Sequence, residues 1–369
     1  MENLAATREA KEISAAGRVV MPGFVDSHTH LLFPVPGAPA GTLDTAVHSL
    51  RATTGMRLKM AARVYLQAMA RHGTTTVEIK TGCGPDEEAE RKILRVAAEL
   101  REGPLDVVTT FLLRVPLIPL MAGEVSNESW KRMRAEFLPY AQRRNLIRFA
   151  DIAWDELSAD FWTAQPDWRV WLDGFFQIAR SLGLGRKIHA ESTSVTTAIR
   201  MALQHHAASI DHIEHATPDD AALLGSGDTV ATLLPCSSFH AGGPNAPARA
   251  LVDAGVPVAI ATNFNPHHTP SLSMQTAISL ACRCLGLTPA EAICAATING
   301  AHAIRCARSI GSLECGKLAD LVILDVPDYR ELANSLGANL VHLVMKRGDV
   351  IYEQGTVGPR PPDEFRPAW

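Results

Sequence analysis

The sequence predicts an α/β fold, a (β/α)8 TIM barrel with a small flanking β-sandwich appendage. Three observations carry that prediction. Eight apolar, β-branched runs lie between residues 19 and 261, and helical stretches follow most of them. Paired histidines stand directly after the first run, and further histidines end the fifth and sixth. Reactive side chains gathered at the C-terminal ends of strands are the habit of a closed parallel barrel. Three short runs near the end of the chain read as antiparallel strands outside that series. An open, doubly wound sheet is the rival reading of the same alternation.

The first run, residues 19–25, is interrupted by Pro22 and Gly23. Residues 56–71 have helical spacing and stop at Gly73. A strand at 74–79 and a charged-faced helix at 86–101 follow. Strands are expected at 107–113, 147–153, 187–190, 209–213, 230–234 and 256–261, and helices at 128–143, 168–182, 195–205, 218–224 and 247–254. Helices at 271–285 and 289–305 come after the eighth strand. The runs 321–324, 341–346 and 350–352, the last two turned at Arg347-Gly348-Asp349, form the appendage. Residues 1–18 are thus a short N-terminal segment of the appendage and 19–310 the barrel. Residues 311–369 are the C-terminal appendage with an irregular, Pro-rich tail at 358–369.

Composition narrows the function. A hydrophobic fraction of 47% over 369 residues permits a large core. The net charge of -4 gives no electrostatic reason to bind nucleic acid or an acidic membrane. No apolar run reaches the length of a membrane span, and the first residues have no signal-peptide pattern. Seven scattered cysteines without a CxxC pair read as reduced thiols, and the expected location is cytoplasmic.

The sharpest chemical signal is Asp26-Ser27-His28-Thr29-His30. Residues i and i+2 of an extended segment point the same way, so His28 and His30 present two imidazoles to one side. That is half of a first-row metal site, suited to zinc, iron or nickel. His189 ends the fifth strand and is the expected third ligand. His212 ends the sixth and suits a supporting or electrophilic role toward an oxyanion. The eighth strand ends in Asn263, where a metal hydrolase would want a carboxylate to take a proton from its water. Lys80, after the second strand, reads as an anchor for an anionic substrate, as a carbamylated bridge between two metals, or as a solvated surface lysine. His240 and the run Cys236-Ser237-Ser238 follow the seventh strand and are expected to line the pocket. His267 and His268 sit in the loop after Asn263, and His215 in a turn.

These motifs resemble imidazolonepropionase, the histidine-degradation branch of the amidohydrolase superfamily of metallo-dependent hydrolases. The resemblance rests on Pro22-Gly23-Phe24-Val25-Asp26-Ser27-His28-Thr29-His30 and on Glu78-Ile79-Lys80-Thr81-Gly82. It continues through Lys187-Ile188-His189-Ala190, Asp211-His212-Ile213-Glu214 and Asn263-Phe264-Asn265-Pro266. Gly311-Ser312-Leu313-Glu314-Cys315-Gly316-Lys317-Leu318-Ala319-Asp320 completes it. It implies hydrolysis of a C–N bond in a small polar cyclic amide, an imidazolone-type ring. One divalent metal ion, zinc or iron, would be held by His28, His30, His189 and the position of Asn263. His212 would polarise the ring carbonyl, with Lys80, Asn265 and His240 near the substrate. Family members are often dimers, which implies a homodimer.

Four positions depart from the family pattern. Asn263 replaces an aspartate, Ser192 a proton-shuttling glutamate and Cys83 a tyrosine, and residues 31–40 lack an arginine for the substrate carboxylate. Glu191 is adjacent to Ser192; side-chain alternation argues for the opposite face, yet Glu191 is the expected catalytic carboxylate, with His215 the other group that could move the proton. Beside the hydrolase stand two alternatives. One is a catalytically impaired barrel that binds a small polar ligand without hydrolysis; the other is a ring deaminase of the same superfamily.

Overall fold

The computed structural model describes residues 12–32, 43–81, 87–114, 133–154, 163, 167–191, 193 and 195–355. Expectations for residues 1–11, Cys83, most of 31–40, Ser192, the start of the 128–143 helix and the tail at 358–369 lie outside them. Twelve strands are described. In chain order they are β1 (Val19–Pro22), β2 (Phe24–Asp26), β3 (Thr74–Lys80), β4 (Asp106–Leu113), β5 (Phe149–Ala153) and β6 (Gly185–His189). Then come β7 (Ser209–Asp211), β8 (Val230–Leu233), β9 (Val258–Ile260), β10 (Leu321–Leu324), β11 (Val341–Lys346) and β12 (Asp349–Glu353).

Strands β2 to β9 form one eight-stranded sheet in sequential order, and every neighbouring pair is parallel. Helices such as Gly55–Arg71, Trp168–Ser181 and Thr196–Gln204 cover the outside. The sheet closes just beyond the strand ends. Thr29 bridges Phe264 in parallel, His30 N donates to Phe264 O at 2.8 Å, and Asn263 N donates to His28 O at 3.1 Å. Asp26 adds a side-chain clasp: its carboxylate accepts from Thr262 N at 3.0 Å and Thr262 Oγ1 at 2.6 Å. The two chain segments drawn together by this closure carry the paired histidines and Asn263.

The run at 19–25 is two strands, not one. β1 pairs antiparallel with β10, so it belongs to the four-stranded sheet β1-β10-β11-β12. The appendage strand at the N-terminal end therefore begins at Val19, after the 1–18 segment assigned to it from sequence. Gly23 is the switch: its N–H bonds Asp320 O of the appendage, while Phe24 N bonds Gly73 O at the foot of the barrel. A Cβ on Gly23 would stand 2.3 Å from the Thr75 side chain, so only glycine fits this passage. Pro22 sits harmlessly on an edge strand, where its missing N–H breaks no ladder. Among the described residues the appendage is one antiparallel sheet, set against helix Gly55–Arg71 and β3.

The helix expected at 289–305 is two, Pro289–Ala296 and Ile298–Ala303, broken at Thr297. The run after the seventh barrel strand that is expected to line the pocket lies on helix Pro235–Ala241; Pro235 at its first turn makes the start sharp.

Replacing Gly23 with alanine is expected to destabilise the fold by about 1–3 kcal/mol through overpacking against Thr75. Urea denaturation of wild type and Gly23→Ala measures it.

Candidate active site

His28, His30 and His189 converge at the C-terminal mouth of the barrel. All three are buried, and one ring nitrogen from each lies within 4.8 Å of the others. His28 Nε2 and His30 Nε2 are 3.3 Å apart. Two nitrogens on a tetrahedral ion at Zn–N distances of about 2.0–2.1 Å are separated by about 3.3 Å, so the pair already has the spacing of a coordination edge. The His189 ring lies 5.1 Å from His28 and 5.6 Å from His30, centroid to centroid. Two buried atoms here lack a hydrogen-bond partner among the described residues, His189 Nδ1 and Asn263 Oδ1. Buried lone pairs are costly unless a donor or an ion meets them. The donor set thus fits a divalent cation.

Burial, reinforced by Lys80, holds the His28 imidazole well below its usual pKa. Burial and His189 do the same for His30, and burial and His212 push His189 down to about 3. All three rings are neutral at neutral pH, the form that ligates metal.

Beneath the histidines lies a layer of buried charge. His28 Nδ1 donates to Asp211 Oδ2 at 2.8 Å, which fixes its tautomer and turns Nε2 toward His30. The same oxygen faces Lys80 Nζ at 2.9 Å and Lys187 Nζ at 3.6 Å. Lys80 also bonds Asp151 at 2.5 Å, and Lys187 bonds Glu78 at 2.6 Å. Thr110 donates to Glu78, and Ser209 Oγ donates to Asp211 Oδ1 at 2.7 Å. All five charged side chains are fully buried. Lys80 therefore does not lie on the surface, and its ammonium is committed to three carboxylates. Burial opposes its charge, but Asp151, Asp211 and Glu78 outweigh that and raise its pKa. Sequence reasoning missed Glu78, Asp151, Lys187 and Asp211. The signal was available, because Glu78 and Lys80, Lys187 and His189, and Ser209 and Asp211 repeat the i, i+2 spacing that singled out His28 and His30.

Above the triad stand the groups that can touch a substrate. The His212 ring lies 4.4 Å from His189 and 5.2 Å from His28. Its backbone is left-handed, with φ 60°, and Asn263 likewise has φ 52°. Both residues turn sharply off a strand end to aim at the mouth, a conformation in which asparagine is at ease. Asn263 Nδ2 donates to Ser237 Oγ at 3.1 Å. Glu191 points into the site, as a catalytic role requires and against the alternation argument: its Oε2 lies 3.4 Å from His189 Nε2. It follows His189 by two residues and so shares its face. Desolvation opposes its ionisation, but His212, His189 and Arg114 outweigh that and hold its carboxyl below the usual range. Arg114, unnoticed in the sequence, follows β4 directly and brings Nη2 to 3.3 Å from His189 Nε2 and 3.6 Å from Glu191 Oε2.

A cavity of about 410 Å³ opens beside these groups, lined among others by Glu191, His212, Glu214, His215, Ser237 and Ser238. Ser237 and Ser238 thus line the pocket as expected, while His240 is exposed on the same helix and is not among the lining residues. Asn265 shapes its own loop: its side-chain oxygen accepts from His267 N at 3.0 Å and His268 N at 3.2 Å. It is not among the cavity-lining residues either.

A barrel with imidazoles, a carboxylate and an amide around one cation-sized centre defines a class of hydrolase. The chain belongs to the amidohydrolase family, whose model matches residues 19–351. Its curated relatives include the imidazolonepropionases of Shouchella clausii (strain KSM-K16) and Geobacillus kaustophilus (strain HTA426), each 35% identical. The first match covers 95% of this chain and 80% of the relative, and the second 95% and 84%. Among solved structures, a 5-methylcytosine deaminase from Klebsiella pneumoniae superposes with a TM-score of 0.73. It is 17% identical and covers 97% of this chain and 93% of its own. At that identity the likeness is one of fold.

Two outcomes follow from the geometry. Asp211→Asn is expected to weaken metal binding to the stripped protein about 10–100-fold, read by competition with a chromophoric chelator. Metal affinity is also expected to change less than about threefold between pH 7.5 and 5.5, because depressed imidazoles do not take up protons in that window. Three ordinary histidines would lose about a thousandfold over the same range.

Proposed function

We propose that this chain is a metal-dependent hydrolase that opens a cyclic amide of the imidazolone type at its C–N bond. The convergence of His28, His30 and His189 on one cation-sized centre carries the reading. The family and the curated relatives support the reaction class. The three imidazoles would hold one divalent ion, zinc or iron, and the unclaimed Asn263 Oδ1 would be available to it as a neutral oxygen. When bound, the ion supplies a Lewis acid and acidifies a water toward a pKa of about 7.

The chain's own groups do the rest. His212, beside His189, donates to the oxyanion that forms at the ring carbonyl. Glu191 is the carboxylate placed to accept the water's proton and pass it to the leaving nitrogen. Asn263 holds its position but takes no proton, so turnover is slower than an aspartate would allow. The substrate is a small polar ring taken into the cavity beside Glu191 and Ser237. Among the described residues no helix is long and apolar enough to cross a membrane, in keeping with a cytoplasmic enzyme.

The decisive experiment pairs the metal-to-protein ratio with turnover of imidazolonepropionate, followed by loss of ring absorbance. About one metal per chain with measurable turnover, both abolished in His28→Ala, is the expected result. Asn263→Asp is expected to raise kcat at least about tenfold, since loss of a general base costs about 10²–10⁴-fold. Bound metal with no turnover in either wild type or Asn263→Asp would sink the hydrolase. It would favour the second reading, a barrel that binds a small polar ligand without hydrolysis, which the amide at 263 motivates. Ammonia released from a purine- or pyrimidine-like ring would instead identify a deaminase.

A further inference from the structure

The opposite end of the barrel holds a second cavity, of about 510 Å³. Arg101, Asn145, Arg148, Cys306, Ser309 and Arg347 are among its lining residues. They come from the approaches to barrel strands, from the segment joining barrel to appendage, and from the turn between β11 and β12. Nothing in the hydrolytic site uses them.

Charge in this cavity does not balance. Asp106 answers Arg347 Nη2 at 2.8 Å and Lys346 Nζ at 2.7 Å, and Lys346 also bonds Asp320. Arg101 and Arg148 have no carboxylate partner among the described residues. Arg101 spends its Nη1 and Nη2 on the carbonyls of Asn145 and Leu146, at 2.5 and 3.2 Å. Arg148 reaches only the Cys306 sulfur, at 3.6 Å. Burial and the neighbouring Arg148 charge lower the Arg101 pKa, the mark of two cations sharing a space. The whole chain carries a net charge of -4, so this local surplus is not a reflection of composition.

We propose that this cavity binds a small dianionic oxyanion, a phosphate group or a dicarboxylate, between Arg101 and Arg148. Two uncompensated guanidiniums match a dianion in charge; exposed Arg148 offers planar, paired donors to its oxygens, and Arg101 adds the N–H groups that its two carbonyl contacts leave over. Arg101 is already fixed by its two carbonyl contacts, so little ordering is left for the ligand to bring about. The volume admits a small metabolite. A bound anion raises the melting temperature of the protein.

Isothermal titration of the metal-loaded protein with inorganic phosphate, and separately with succinate, tests this at low ionic strength. Saturable binding is expected, weakened at least tenfold in Arg148→Gln and in Arg101→Gln, and retained by protein stripped of metal with a chelator. Tighter phosphate binding identifies a phosphate ester as the ligand class, and tighter succinate binding a dicarboxylate. Absence of saturable binding, an unchanged Kd in Arg148→Gln, or loss of binding on metal removal overturns the proposal. None of these outcomes depends on turnover of a cyclic amide.

Discussion

The carboxylate of Asp211, held between His28 and two lysines inside the barrel, is the contact on which the rest of the site depends. Asp211 Oδ2 meets His28 Nδ1 at 2.8 Å and Lys80 Nζ at 2.9 Å. An isolated charge in that position would be prohibitive, since desolvation of one ion costs several kcal/mol even after relaxation. Three carboxylates and two ammonium groups interleave instead, so each charge has a counterion and hydrogen bonds. Removing one partner from such a set typically costs about 3–5 kcal/mol, because the other is left buried and alone. The set also dictates chemistry. With two lysines on its oxygen, Asp211 accepts the His28 proton as a hydrogen bond and leaves the ring a neutral ligand with Nε2 facing the centre.

A second constraint is closure. In a barrel of sequential parallel strands the first and last elements must meet, and here they meet through Asp26, Thr262 and the Thr29–Phe264 bridge. Burial raises the Asp26 pKa to about 7 despite the Thr262 hydrogen bonds. That is the electrostatic strain of using a carboxylate as a clasp in a dry seam. The same closure sets His28 O against Asn263 N, so the ligand pair and the strand-eight residue share one backbone register. Fold and site are not separable at this seam.

Much of this was legible in the sequence, for physical reasons that differ by element. The barrel followed from alternation, which a closed parallel sheet with helical crossovers enforces. His28, His30 and His189 followed from i, i+2 spacing and position at strand ends. Lys80 was misread because sequence reveals which face a side chain takes but not whether that face is filled. Asp151 on β5 and Asp211 on β7, with Glu78 on the lysine's own strand, make a fully buried lysine tolerable, and the first two lie 71 and 131 positions away in the chain. Arg114 is not legible as a site residue because it lies far in the chain from the paired histidines, at the end of β4, and only barrel closure brings that strand end to the same mouth. The interruption of residues 19–25 at Pro22-Gly23 shows in the sequence, but both halves are apolar, and the pairing of β1 with β10 is what assigns the first half to the appendage.

The amide at position 263 is best understood through what it leaves intact. Its left-handed backbone, φ 52°, is one that asparagine adopts readily, so the residue stands there without disturbing the chain. Its Oδ1 lone pair still lies buried and unclaimed among the described residues. What is missing is a charge and a proton acceptor, not a donor atom. Three imidazoles and an amide would form a wholly neutral donor set, which would leave the full positive charge of a divalent ion expressed at the mouth of the barrel. Neutral three-histidine sites of this kind acidify water strongly. The substitution therefore shifts the burden from making the nucleophile to disposing of its proton. Of the carboxylates at the triad, Asp211 is committed to His28 and two lysines, whereas Glu191 lies 3.4 Å from His189 and is the one proposed to take that proton.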